Sequence, residues 1–380
     1  MVVLLVDALG WELAEKHGRF APSLPHRRKI ETILGFSSGA LPTLFTGRMP
    51  EEHGRWLMYR RAQGETPFRG FGALRLLPER VQRSGRLARL LTRTVARRGV
   101  RGYFHLYEVP RWLLAEFDLA EREDPFAPGG LPGDSLWDHL ERRGVRWRRW
   151  NWRTPEDQNL AALARQLAEG DEDLLFCYTA ELDTLLHVEG SRGAGVQARL
   201  ERYPEWIETL EREAARRGER LWVYLFSDHG MVDVTRTVDV AARLRALPVR
   251  WPRDYLVFLD ATMARFWWRG EKARALVREA LDREPHGHWL DDATLAREGA
   301  RFPNREYGED LFLLAPGAMV VPSFMGTSPL KAMHGYDASH PDMAAGLWSN
   351  RPLPDGVRHL RDLRGFLESE LEALAREAAA

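Results

Sequence analysis

Residues 2–10 read VVLLVDALG, five consecutive apolar side chains followed by an aspartate and a small-residue turn. A strand with one wet face alternates apolar and polar residues. This run does not, so it reads as a strand buried on both faces. Two further stretches repeat the form: LLFCYTAEL (174–182) leads to Asp183, and LWVYLFS (221–227) leads to Asp228. Helical patterns lie between them, in PEDQNLAALARQLAEG (155–170) and YPEWIETLEREAARRGER (203–220). Buried strands alternating with helices define an α/β chain with a mainly parallel central sheet between helical layers.

The length, 380 residues, suits a core domain carrying an insertion. Lys+Arg and Asp+Glu are both 55, so formal net charge is zero and the overall basic footprint of a nucleic-acid partner is missing. Cys177 is the single cysteine, which rules out an intrachain disulfide and a Cys-rich zinc site. The first residues turn acidic too soon for a signal peptide, and no apolar run reaches the ~18 residues of a membrane span. The expectation is a cytoplasmic enzyme acting on a small molecule.

Two regions break the strand–helix rhythm. Residues 55–135 are rich in Arg, Pro and Gly, include the basic helical stretch ERVQRSGRLARLLTRTVARRG (79–99), and read as a lid-like insertion. Residues 251–300 hold two strands (YLVFLD, MARFWW), a helix (EKARALVREALDRE) and a further strand, which reads as a small α+β insertion. The core is then 1–250 and 301–380, ending in an amphipathic helix.

In open α/β sheets ligands bind beyond the carboxyl ends of the strands. Asp7, Asp183 and Asp228 all fall there. Three converging carboxylates repel one another unless protonated or neutralised, and a metal neutralises them. Histidines sit at matching offsets. His187 lies one helical turn after Asp183, His229 follows Asp228 within SDHG, and His334 lies downstream in MHGYD. Asp and His donors without Cys suit catalytic zinc, or manganese.

Residues 37–54, SSGALPTLFTGRMPEEHG, supply a nucleophile. A hydroxyl at a helix start lies where backbone N–H groups and the helix dipole favour negative charge, and a neighbouring metal lowers its pKa. Pro42 is tolerated in the first helical turn. Together these motifs resemble the alkaline phosphatase superfamily, and within it the branch of nucleotide pyrophosphatases and type I phosphodiesterases. That branch carries TG-x-x-P-x-x-HG, matched by Thr46–Gly54, with a Thr or Ser nucleophile nine residues before the Thr. Here that position is Ser37; a register slip of one would make it Ser38. The resemblance implies two divalent metal ions, usually zinc. Asp183, His187 and His334 would hold one, and Asp7, Ser37, Asp228 and His229 the other. Ser37 would attack phosphorus in line and form a phosphoseryl intermediate, most simply in a phosphodiesterase. A phosphoryl or phospho-alcohol transferase would use the same site, and a non-catalytic binding protein on this fold is the third reading.

The chain departs from the branch at two places. Leu186 stands where a Gly commonly precedes the histidine, and Met58 where an Asn commonly binds a phosphate oxygen. The sulfatase branch is disfavoured, because the expected Pro and Arg after the nucleophile are Gly39 and Leu41. Arg55, Arg60 or Arg61 are the candidates for extra positive charge toward a monoester. The run RRGVRWRRWNWR (142–153) reads as a strand with packed Trp and solvated Arg, the alternative being a stacking surface for substrate. Leu87, Leu91 and Val95 give the basic helix one apolar face, for packing on its own domain or for an anionic membrane surface. His53 is assigned to the HG turn.

Overall fold

A computed structural model describes residues 1–18 and 20–379. The three apolar runs form the centre of a six-stranded sheet. Its strands are β1 (Val2–Val6), β2 (His26–Ile30), β3 (Trp147–Trp150), β4 (Leu174–Thr179), β5 (Val223–Phe226) and β6 (Ala345–Ser349), in the order β2–β6–β5–β1–β4–β3. β1 runs parallel to β4 and β5, and β4 parallel to β3. β6 is antiparallel to β5 and β2. The expected alkaline-phosphatase-like α/β sheet is therefore present. The helices used below are α1 (Ser37–Thr46), α2 (Gly85–Arg97), α3 (Glu156–Glu169), α4 (Glu181–Glu189) and α5 (Ala194–Arg216).

The chain divides into two compact units, the first Met1–Arg48, Ala127–Asp233 and Leu330–Ala380, the second Met49–Phe126 and Val234–Pro329. In the first, Leu160, Leu163 and Leu167 of α3 and Leu200, Tyr203, Ile207 and Leu210 of α5 pack in one core with Val2, Leu4 and Val6 of β1. Their spacing of three and four residues is the buried stripe of an amphipathic helix. In the second, Tyr255–Leu259, Met263–Trp268, Asp310–Leu314 and Gly287–Leu290 form an antiparallel sheet in that order. The boundaries differ from those read in the sequence. Tyr59, Phe117 and Leu119 pack in one cluster with Leu256, Phe258 and Trp267, so the two segments expected to be separate insertions share a core. Residues 127–135 belong with the first unit instead.

Glu156, in the first turn of α3, is buried, with Arg199 Nη1 3.5 Å from its Oε2. Burial pushes its carboxyl up to about 7; Arg199 opposes the shift and Glu181 adds to it. A carboxyl raised on folding binds its proton more tightly in the native state. Stability therefore falls as pH rises from the unfolded value near 4.5 to about 7. Glu156→Gln is expected to flatten that decline, by about 3 kcal/mol at most for the full shift, and to leave acid stability unchanged. Thermal unfolding across this range checks it. A Gln variant less stable near neutral pH, by an amount that shrinks toward acid, would mean that Arg199 keeps the carboxylate ionised.

Candidate active site

The strand ends deliver the acids. Asp7 is one residue past β1 and Asp228 two past β5, while β4 leads into α4, which carries Asp183 and His187 one turn apart. His334 follows the short strand Ala332–Met333, paired antiparallel with Val232–Asp233. Ser37 is the first residue of α1, after Phe36 at the N-cap. All seven expected residues lie in the first unit.

Two of the carboxylates have one oxygen held and the other bare. Asp228 Oδ1 accepts the backbone N–H of Ala8 (3.3 Å) and of His229 (3.0 Å), and Asp7 Oδ2 accepts the Tyr178 hydroxyl. Asp7 Oδ1, Asp228 Oδ2 and Asp183 Oδ1 are buried without a hydrogen-bond partner. Two histidine rings are oriented by carbonyls, which can only accept. His229 Nδ1–H donates to Gly230 O (3.0 Å) and His187 Nδ1–H to Ala332 O (2.9 Å), so in the neutral rings that a metal would bind the lone pair lies on Nε2.

The bare atoms face one another. His229 Nε2 stands 3.4 Å from Asp7 Oδ1, 3.4 Å from Asp228 Oδ2 and 2.9 Å from Ser37 Oγ. His187 Nε2 is 3.4 Å and His334 Nε2 3.7 Å from Asp183 Oδ1. Donors bound to one tetrahedral ion with bonds of about 2.0–2.1 Å stand about 3.3–3.4 Å apart. The donor atoms of Asp7, Asp228 and His229 lie within 4.8 Å of one another, and so do those of Asp183, His229 and His334. The donor set thus fits divalent metal ions. The expected partition shifts at one point, because His229 lies within reach of both groups and stacks on His334 at 3.9 Å. His187 adjoins the second group through Asp183.

Electrostatics follows from the crowding. Burial, then Asp228 and Asp183, push the Asp7 carboxyl well above its usual range. Burial also works against ionised Asp183, but His187 and His334 overcome it and hold that carboxyl low. Burial, then His229, push His334 far below an ordinary histidine. The raised Asp7 carboxyl is the mark of negative charge concentrated without bulk water to screen it, and the lowered His334 the mark of an imidazole buried beside another.

The loops are held by close approach. Ala8 adopts φ 60°, a left-handed conformation costly for a residue with a Cβ, and its N–H reaches Asp228 from there. A Cβ on Gly10 would lie 2.7 Å from Gly230 Cα, and one on Gly230 would lie 2.1 Å from the Asp342 carbonyl oxygen. The TG of the motif is a helix stop. Gly47 takes φ 67° and its N–H bonds Thr43 O, while Thr46 Oγ1 bonds Pro42 O at 2.7 Å. His53 serves a turn, its Nδ1 accepting Arg55 N–H at 3.2 Å. Sequence reasoning missed Tyr178 and Thr32, whose hydroxyl bonds Asp228 O at 2.6 Å. Tyr178 stands in the buried run leading to Asp183; Thr32 had no local signal.

A mainly parallel sheet with these donors beyond its strand ends is the layout of the alkaline phosphatase superfamily. The chain matches the type I phosphodiesterase / nucleotide pyrophosphatase family over residues 1–337 and belongs to it. It is an enzyme, a hydrolase of that metal-dependent family. No curated protein matches the chain by sequence. Solved structures share its fold. Human ectonucleotide pyrophosphatase/phosphodiesterase 5 is 12% identical, with 98% of this chain and 94% of that one covered at a TM-score of 0.66. The murine protein is 14% identical, with 98% and 95% covered at 0.67. An inactive threonine-to-alanine form of it, in complex with AMP, is 14% identical, with 98% and 94% covered at 0.67.

Proposed function

We propose that the protein is a two-metal phosphodiesterase acting through a phosphoseryl intermediate on Ser37. The observation that carries this reading is the Ser37 hydroxyl, 2.9 Å from His229 Nε2 and at the first position of α1. Ser37 Oγ forms the bond to phosphorus as the bond to the leaving alcohol oxygen breaks. Water then cleaves the Oγ–P bond and returns the serine. Asp7, Asp228 and His229 would hold one ion beside Ser37, and Asp183, His187 and His334 the other. Zinc in both places would supply the positive charge that stabilises the serine oxygen and the leaving oxygen. Tyr178 and the Ala8 and His229 amides hold the Asp7 and Asp228 carboxylates in place for this role.

Charge favours a diester. Asp7, Asp183, Asp228 and a Ser37 alkoxide balance two dications, so a doubly charged monoester needs a further cation. Arg60 is paired with Asp118 (3.2 Å) and Glu306 (3.3 Å), Arg61 with Glu116, and Met58 packs against the second unit's core, which leaves Arg55, buried with Glu121 the chief acid acting on it, as the remaining candidate cation. The AMP bound to the murine relative supports a nucleotide ester as the substrate class. Bis(p-nitrophenyl) phosphate is expected to give a higher kcat/KM than p-nitrophenyl phosphate, with chelator-stripped protein reloaded with zinc or with manganese. A tenfold preference for the monoester, about 1.4 kcal/mol, overturns the diesterase reading.

A further inference from the structure

Residues 75–98 carry eight arginines against one acid, Glu79, in a chain of zero net charge. α2 lies at the centre of this stretch. Ser84 caps it by accepting Leu87 N–H, and Leu91 and Val95 anchor its inner face in the core with Phe68, Phe71, Leu113 and Leu114. The outer face is what remains. Positions 86, 89, 90, 93 and 97 share one stripe at helical spacing, and they are Arg86, Arg89, Leu90, Arg93 and Arg97.

Two observations set this face apart from an ordinary solvated one. Arg83 pairs with Glu79 at 2.6 Å and Arg75 lies over Trp112, but among the described residues no carboxylate pairs with Arg80, Arg86, Arg89, Arg93 or Arg97. Of the six large aliphatic side chains exposed among the described residues, four fall within residues 76–90: Leu76 is 89% exposed, Leu90 57%, Val81 43% and Leu77 37%, while Val188 and Leu330 lie elsewhere. Thr92 and Thr94 turn their hydroxyls back onto Ala88 O and Leu90 O, so the helix adds few other polar groups.

We propose that this face docks on an anionic lipid bilayer, with the guanidinium groups on headgroup phosphates and Leu76, Val81 and Leu90 entering the interface. Arginine forks match phosphate oxygens, and each basic residue near an anionic surface contributes about fivefold in affinity. The aliphatic side chains decide between bilayer and nucleic acid, because a duplex backbone would leave them in water. The role is distinct from catalysis, since α2 carries none of the seven site residues.

Sedimentation with phosphatidylcholine vesicles, with and without phosphatidylglycerol, tests it on the full-length protein. Binding is expected only with phosphatidylglycerol, and weaker as salt is raised. R86Q/R93Q is expected to weaken it about 25-fold, and L76S/L90S about tenfold or more. Tm and turnover of a soluble phosphodiester are expected to stay unchanged in both. If either double variant unfolds, Arg97→Gln keeps the test, at about fivefold. No phosphatidylglycerol-dependent binding overturns the proposal. So does binding that survives L76S/L90S and is displaced by duplex DNA, which would make this a nucleic-acid face.

Discussion

Ser37→Ala is expected to leave a folded, metal-loaded protein whose kcat on a phosphodiester has fallen about 10⁴-fold or more, about 5.4 kcal/mol of transition-state stabilisation. The reason is local. Ser37 Oγ contributes one donor beside His229 Nε2, while Asp7 and Asp228 remain to hold an ion. Nothing else at the start of α1 can form a covalent phosphoester except Ser38, so the control is Ser38→Ala, expected to retain most activity. Stoichiometry of bound metal and Tm should match the parent in both. An inactive Ser38 variant beside an active Ser37 variant would move the nucleophile by one residue.

A second large effect is expected at His229, for a reason visible only in three dimensions. Its Nε2 lies in the group with Asp7 and Asp228, and its ring also stands within the group of Asp183 and His334. His229→Ala is therefore expected to lower bound metal at both positions and reduce turnover about 10³-fold or more, about 4 kcal/mol. His187→Ala removes a donor adjoining Asp183 alone and should leave the Asp7–Asp228 ion in place. Elemental analysis of purified variants, dialysed against trace metal, reads the difference. If the His229 variant keeps one full ion and the His187 variant loses both, the shared position belongs to His187.

Much of this was legible in the chain because burial on both faces leaves an uninterrupted apolar run. The expected 2–6 and 174–179 are the observed β1 and β4. The edge strand β2, HRRKI, left no such trace. Its long side chains lie at the surface, with Arg27 paired to Glu15 and Lys29 to Glu12, and a strand of this kind reads as loop. The second unit was harder for another reason. Its core joins Tyr59 and Phe117 to Phe258 and Trp267, and no short window of sequence reports a contact of that range. At the site, types and spacing brought out the six Asp and His residues that the fold places near one another, and the family resemblance brought out Ser37, but neither pointed to His229 standing between two groups. That depends on the ring stack with His334, a property of the folded backbone.

The strand order has a consequence for synthesis. β1 is flanked by β4 and β5, so Val2 finds its partners at Leu175 and Val223. The Ala8 amide waits for an aspartate 220 residues later. At translation rates of 5–20 residues per second, that interval is about 10–40 s. VVLLV, an apolar strand of the kind that pairs with the wrong chain, has both edges open until β4 follows, about 170 residues on, and one edge open until β5 follows. The central sheet can therefore close only late, after most of these residues have been synthesised, because β5 and β6 come from Val223–Phe226 and Ala345–Ser349.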